Sequence, residues 1–323
     1  MISTAKTTEH LWKCAPAMVL CALIIFFSLV NSNFLSLVNF ARMSISTTPA
    51  MLVALGVTFI IIMGSIDLSM EGTIATTAVV FGLLFMGLGG RLSSGSAWIS
   101  LPAAAMVGAA LGWINGQVHV KLRIPSFMSS LAMGFVGTGV AILLTNGDRI
   151  VIEDETFRSL LITRVLGFPL MAYVGLAFVL IAWFIQRKTT IGRNFYAVGG
   201  GEALAHSSGL NVKRVRIMGY TIAGVFYAVA AVLAVARLGM AEATTGSNYM
   251  FMSITAVVVG GTSLLGGVGG VWNTVVGVLI VNVISNGMIV IGLPRYLQDG
   301  VLGVLVIIAV ILSTDRKNIF FVK

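Results

Sequence analysis

Runs without charge set the first constraint on this chain. Between successive Asp, Glu, Lys and Arg residues, uninterrupted stretches occupy 14–41, 43–66, 72–90, 92–120, 124–147, 165–186, 217–236, 243–294 and 300–314. A bilayer core is crossed by about 20 apolar residues in a helix. Eight of the stretches suit one span each, the last a short one. The stretch 243–294 suits two, with Gly266-Gly267-Val268-Gly269-Gly270 as the break. The expectation is an all-α polytopic membrane protein of about ten transmembrane segments, a single domain over residues 1–323. Helices are required because lipid offers no partner to an open strand's backbone. Only 10% of residues are charged, against about 25% in soluble domains. A water-soluble enzyme is excluded as the default, and the 58% hydrophobic content excludes a disordered chain.

Lys and Arg then orient the spans. With the N-terminus inside, the inner segments hold Lys6, Lys13, Lys121, Arg123, Arg187, Lys188, Arg193, Lys213, Arg214, Arg216, Arg316, Lys317 and Lys323. The outer segments and span ends hold Arg42, Arg91, Arg149, Arg158, Arg164, Arg237 and Arg295. The excess of cations inside places both termini in the cytoplasm. The net charge of +9 is therefore mainly a topology signal, without the basic stripe of a nucleic-acid binder. Basic residues precede the first apolar run, but no small-x-small cleavage site follows, so an uncleaved first helix is expected. Cys14 and Cys21 lie about 10.5 Å apart along one helix, beyond disulfide reach. With His10, His119 and His206 scattered, no metal site is expected.

Residues 187–216 form the one sizeable inner loop. Gly199 to Gly201 precede a short helical stretch, 202–208, with Gly209 as a C-cap and Glu202 favourable in the first turn. So short a helix is unstable alone. It is either a solvated interfacial loop or a docking element for a cytoplasmic motor.

Three motifs carry a family resemblance. The first is Gly64-Ser65-Ile66-Asp67-Leu68-Ser69. The second is Gly192-Arg193-Asn194-Phe195-Tyr196-Ala197-Val198-Gly199-Gly200, followed by Ala203, Ala205 and Ser208-Gly209-Leu210-Asn211-Val212. The third runs from Ala256 through Gly260-Gly261-Thr262 to Gly266-Gly267-Val268-Gly269. Together, from about Pro49 to Leu312, the chain resembles the permeases of bacterial ABC importers of the ribose and simple-sugar type. The resemblance implies two cytoplasmic ATPase subunits, a second copy or homologous permease, and a periplasmic or surface sugar-binding protein. It implies that Gly192, Ala197, Gly199, Gly200, Glu202, Ala203, Ala205 and Gly209 couple the chain to the ATPase. The family pattern puts a small residue where Glu71 stands here.

Other candidates are read from the residues themselves. Asp67 and Glu71, with Gly64 and Ser69 beside them, form a gate candidate or a plain span boundary with Asp67 as a cap. Gly260, Gly261, Thr262, Gly266 and Gly267 permit close packing or a tight turn. No Gly-x-x-x-x-Gly-Lys-Ser/Thr pattern occurs, so ATP and Mg are expected on a partner and no cofactor in this chain. Asn282, Asn286 and Thr255, with Asn115, are polar residues within spans, either lining a substrate path or joining helices. The function expected is a permease subunit in the bacterial inner membrane that carries a monosaccharide by alternating access. The rivals are an ion-coupled secondary transporter, and the same importer class carrying nucleosides or branched-chain amino acids. No constellation of an embedded enzyme is found.

Overall fold

The computed structural model describes residues 2–93 and 95–294 together with residues 297, 298, 300, 301, 303, 304 and 307; over 2–14 it gives the backbone alone. The helices are α1 (Ile2–Val30), α2 (Leu37–Ile62), α3 (Met70–Gly87), α4 (Ser100–Leu122), α5 (Ser126–Thr145), α6 (Glu155–Ile162), α7 (Leu170–Lys188), α8 (Thr190–Gly200), α9 (Glu202–Ser207), α10 (Val212–Leu238), α11 (Tyr249–Val259) and α12 (Val271–Val290). Two-residue strands β1 (Ile150–Val151) and β4 (Met240–Ala241) pair antiparallel, as do β2 (Arg164–Val165) and β3 (Phe168–Pro169).

Seven helices are long and apolar enough to cross a membrane: α2, α3, α4 with the 3₁₀ turn before it, α5, α7, α10 and α12. Two shorter apolar helices, Ala15–Val30 and Tyr249–Val259, accompany them. The chain is thus an all-α polytopic membrane protein, and the helices depart from the charge-free stretches at two places. Arg42 does not separate two spans but lies inside α2. That helix starts earlier because Ser36 caps it, its Oγ accepting from Asn39 N at 3.2 Å. The stretch 243–294 contains one helix of crossing length, α12, because α11 has eleven residues and is only about 16 Å long. The stretch 300–314 lies mostly outside the described residues.

Burial grades the helices. The most apolar, α2, is also the most enclosed, with 89% of its apolar window buried, whereas α4, α5 and α7 bury 22–28% of theirs. Phe135, Leu143 and Phe184 point outward from α5 and α7. An apolar exposed face of this extent is the face of a helix solvated by acyl chains. Off the bundle end, Asp154 caps α6 by accepting from Phe157 N at 2.7 Å. That cap seats Phe157 against Phe81 and Phe85 of α3, at centroid distances of 5.3 and 5.8 Å.

Lipid supplies no hydrophobic drive for helix pairing, so close backbone packing must hold the helices together. The α4–α10 seam does this with Gly108, Gly112 and Gly224: a Cβ on Gly112 would overlap the Tyr220 carbonyl, and one on Gly224 the Gly108 carbonyl. The obstacle is backbone, which cannot rotate away. We predict that Gly224→Leu lowers the stability of the detergent-solubilised chain by about 1–3 kcal/mol, read as an earlier thermal transition. The same change at Gly139, where a Cβ meets nothing within 4 Å, leaves the transition in place.

Candidate functional site

The chain between α2 and α3 is not a surface loop. After Gly64, in the left-handed region at φ +70°, residues 65–68 form an extended segment outside helix and strand, and Ser69 already turns into the helical region at φ −78°, ψ −9°. Their pattern is inverted relative to a soluble strand: Ser65, Asp67 and Ser69 face the protein and are buried, while Ile66 and Leu68 face outward. The segment lies along α10. Arg216 donates to Ser65 Oγ at 3.2 Å, Tyr220 Oη to the Ile66 carbonyl at 3.3 Å and Tyr227 Oη to Asp67 Oδ2 at 3.0 Å. Arg216 and Tyr227 stand about three turns apart on α10, so the segment leading into α3 is held from two levels of that helix. Ser126 Oγ accepts from Ile66 N at 3.1 Å, so α5 also satisfies its backbone.

Asp67 anchors this run. It is 2% exposed. Its Oδ1 accepts from Ser69 N (2.9 Å), Ser69 Oγ (2.7 Å) and Asn115 Nδ2 (3.3 Å). With Tyr227, four neutral donors surround the carboxyl. The reading of Asp67 as a cap resembles this local Asx-type turn onto Ser69, but the partners on α4 and α10 lie far away in sequence. Tyr227 was not singled out from the sequence; the available signal is that a buried tyrosine hydroxyl needs an acceptor.

Glu71 meets a second discontinuity. Its Oε1 accepts from Met250 N at 3.3 Å at the start of α11, and Ser253 Oγ on the next turn donates to Met70 Sδ at 3.2 Å. The other end of α3 lies by the β1–β4 ladder, since Gly82 abuts Ala241 and Ile150. The chain therefore drops from Ala241 back to Gly246, which touches the Glu71 backbone. Along α3 that return is about 16 Å. Two helix N-termini, those of α3 and α11, meet at one level and run in opposite directions. The Glu71 carboxylate sits between these positive dipole ends.

The far end of α11 reaches a glycine junction. Gly267 N donates to the Ile62 carbonyl at 2.9 Å; Gly266 packs on Gly64 and Gly199, and Gly267 on Gly200. Gly266 and Gly267 have φ of +89° and +73°, which side chains rarely adopt. Thr262 is buried and its Oγ1 accepts from Gly270 N at 3.3 Å. Gly260 abuts the Asn273 carbonyl, and Gly261 follows at φ +95°. Tyr196 of α8 donates to the Gly269 carbonyl at 2.6 Å. Burial pushes the Tyr196 phenol above its ordinary value of 10.0, so it stays protonated and donating at neutral pH. All three sequence motifs thus converge on one junction.

Beyond the junction the loop candidates divide. Gly192 and Ala205 are buried and Gly199 is packed against Ile62, whereas Ala197, Gly200, Glu202, Ala203 and Gly209 are exposed. Glu202 pairs with Arg216 at 2.7 Å, and that same guanidinium reaches Ser65 and, at 2.9 Å, His119 Nε2. One residue thus joins α9, α4 and the extended segment.

A polar cavity of about 490 Å³ opens on the re-entrant stretch 242–248. Its lining includes Arg237, Glu242, Asn248, Asn282, Ser285 and Asn286. Asn286 is already committed to a reciprocal amide pair with Asn39, at 2.8 and 3.2 Å. Asn282 donates to the Val278 carbonyl at 2.9 Å, and Ser285 Oγ is buried without a partner. Thr255 is elsewhere, donating to the Phe251 carbonyl within α11.

Comparison with known proteins places this geometry. A family model described as "Branched-chain amino acid transport system / permease component" matches residues 39–310. The chain belongs to this family of permease components. It is 33% identical over 303 residues to the ribose import permease protein RbsC of Escherichia coli (strain K12), covering 92% of each chain. It is 35% identical over 309 residues to the ribose import permease protein RbsC of Bacillus subtilis (strain 168), covering 95% of this chain and 93% of that one. The L-arabinose transport system permease protein AraH of Escherichia coli (strain K12) is 31% identical over 304 residues, or 93% of this chain and 90% of its own. No solved structure matches.

In this permease component no group of three His, Cys, Asp or Glu residues placed to hold a metal ion occurs among the described residues. The chemistry of the site is hydrogen bonding and backbone packing. Asp67→Asn substitutes an NH₂ for one acceptor oxygen and leaves a buried donor unanswered, at about 1–3 kcal/mol. We predict thermal stability in the order wild type, Tyr227→Phe, Asp67→Asn, Asp67→Ala, measured on the purified chain. An Asp67→Asn protein as stable as wild type would remove the carboxyl from this role.

Proposed function

We propose that the chain is the permease subunit of an ATP-driven importer in the bacterial inner membrane, and that its cargo is a simple sugar of the monosaccharide class. The observation that carries the reading is the junction where the three motif segments meet, with the exposed α9 beyond it. In this reading α9 is seated in a groove of a cytoplasmic ATPase. Exposed apolar side chains on segments that touch through Gly200 and Gly267 support such docking: Leu204 is 73% exposed, Leu265 74% and Val268 61%. The relatives named for ribose and arabinose support the sugar class.

The orientation follows the Lys and Arg bias, with both termini and α8–α9 cytoplasmic and the β1–β4 ladder outside. About ten spans follow if the seven crossing-length helices are joined by α1, α11 with its re-entrant stretch, and the apolar run 300–314 read from the sequence alone. The cavity on residues 242–248 opens outward, where a binding protein would release the sugar, and its size falls in the range of small-molecule sites. A motor stroke on α9 would pull Arg216 through Glu202, and with it Ser65 and the extended segment. ATP and Mg belong to the partner, and a second permease copy completes the pore.

The test is ATP-dependent uptake of labelled ribose, arabinose, a nucleoside and leucine into proteoliposomes holding the chain, its ATPase and its binding protein. Uptake of a sugar is expected; uptake driven by an ion gradient without the ATPase would replace this reading with secondary transport. Gly200→Trp and Ala203→Arg, both at exposed positions, are predicted to cut uptake about tenfold or more, as expected if docking energy of some 1.4 kcal/mol or greater is lost, with membrane abundance unchanged.

A further inference from the structure

A different surface points to a ligand from the membrane itself. Between α4 and α10, outside the glycine seam, runs an open groove of about 780 Å³. Its floor is apolar, with Trp113, Ile217, Met218 and Ile222, and its lip carries Lys121, Lys213 and Arg214. These three cations are exposed, and none forms an ion pair among the described residues. Lys121 lies in the last turn of α4, where the helix dipole favours a cation. Lys213 and Arg214 stand in the first turn of α10, which has no acidic residue. There the dipole opposes them. A topology bias places cations anywhere on this end of the bundle; it does not set two of them against a helix dipole at the mouth of an apolar groove.

We propose that this groove binds one anionic glycerophospholipid of the phosphatidylglycerol type. The headgroup phosphate sits against Lys121, Lys213 and Arg214, whose three cations together form an anion site. An acyl chain covers Trp113, Met218 and Ile222. The apolar floor separates this ligand from a soluble phosphate, which would leave the floor bare. The proposal depends on the chain being a membrane protein and not on what it transports.

Trp113 supplies the probe. In the full chain with Trp12, Trp98, Trp183 and Trp272 changed to Phe, its fluorescence is measured in mixed vesicles where either phosphatidylglycerol or phosphatidylcholine alone carries brominated acyl chains. Stronger quenching by brominated phosphatidylglycerol is expected. Lys213→Gln with Arg214→Gln should reduce that preference about tenfold or more. Arg149→Gln with Arg158→Gln, which removes the same charge from residues that do not line the groove, should leave it intact. Equal quenching by both lipids overturns the proposal. So does a preference that survives the Lys213 and Arg214 changes, or one abolished by soluble glycerol phosphate. Protection of Trp113 from both lipids would show that a second copy of the chain or another protein covers the groove, and would overturn it too.

Discussion

A peptide group within hydrocarbon has no water to turn to, so it must find its partner in the protein. For seven helices the ladder of internal hydrogen bonds meets this demand. At residues 65–69 and 242–248 it does not, and the molecule answers with side chains. Ser126 and Tyr220 take up the Ile66 N–H and carbonyl, while Arg216, Asn115 and Tyr227 hold the Ser65 and Asp67 side chains of the same segment. Thr245 Oγ1 accepts from Glu242 N at 3.0 Å, and Glu71 takes the Met250 N–H. Ser65, Asp67, Ser69 and Thr245 are thus buried polar residues standing where the backbone is irregular. That is also where a transport protein needs structure that can rearrange, because a segment held by side chains from three helices shifts when any of those helices shifts.

The glycine junction works in the opposite sense. Where Ile62, Gly64, Gly199, Gly200, Gly266 and Gly267 meet, the atoms in contact are backbone, and there is no side chain to change rotamer. Such a joint transmits displacement with little loss. Arg216 is the softer parallel connection: the Glu202 carboxylate on the same guanidinium is 60% exposed, and an exposed ion pair contributes little to stability. In the proposed importer, a rigid joint beside a weak, orientable one would let α9 move the end of α2 while α10 and the extended segment reorganise around a single side chain.

Much of the fold was legible from charge spacing, because charges are costly inside lipid. The places where that ruler failed have physical causes. Arg42 is tolerated on α2 because a long side chain near a helix end extends toward the interface. Residues 249–259 are apolar enough for a span but are half of one, and hydropathy is blind to the depth at which a helix begins. Asp67 and Glu71 were recognisable as candidates, and their four-residue spacing implied a shared helical face. The structure puts them on different partners instead, since the helix starts between them at Met70. Asn282 and Asn286 do share a wall of one cavity, as residues one turn apart should, yet only pairing in three dimensions reveals that Asn286 is already engaged by Asn39. Thr255 has the sequence appearance of a path residue, but a threonine hydroxyl on a helix readily returns to the carbonyl four residues back.

The remaining polarity of the cavity bears on how tightly a cargo can be held. Glu242 receives the Thr244 hydroxyl, Asn286 is paired, and the Asn282 amide nitrogen bonds its own helix. Ser285 Oγ is the one buried lining hydroxyl left without a partner among the described residues. A monosaccharide presents several hydroxyls, and each that leaves water needs a partner to offset its desolvation. Arg237, Ser247 and Asn248 line the cavity with no side-chain partner among the described residues, and these are the groups left to meet a cargo hydroxyl. In the proposed importer the directional work falls to the motor that would close on α9, and the permease would contribute this antechamber, a segment able to shift, and a rigid joint between them.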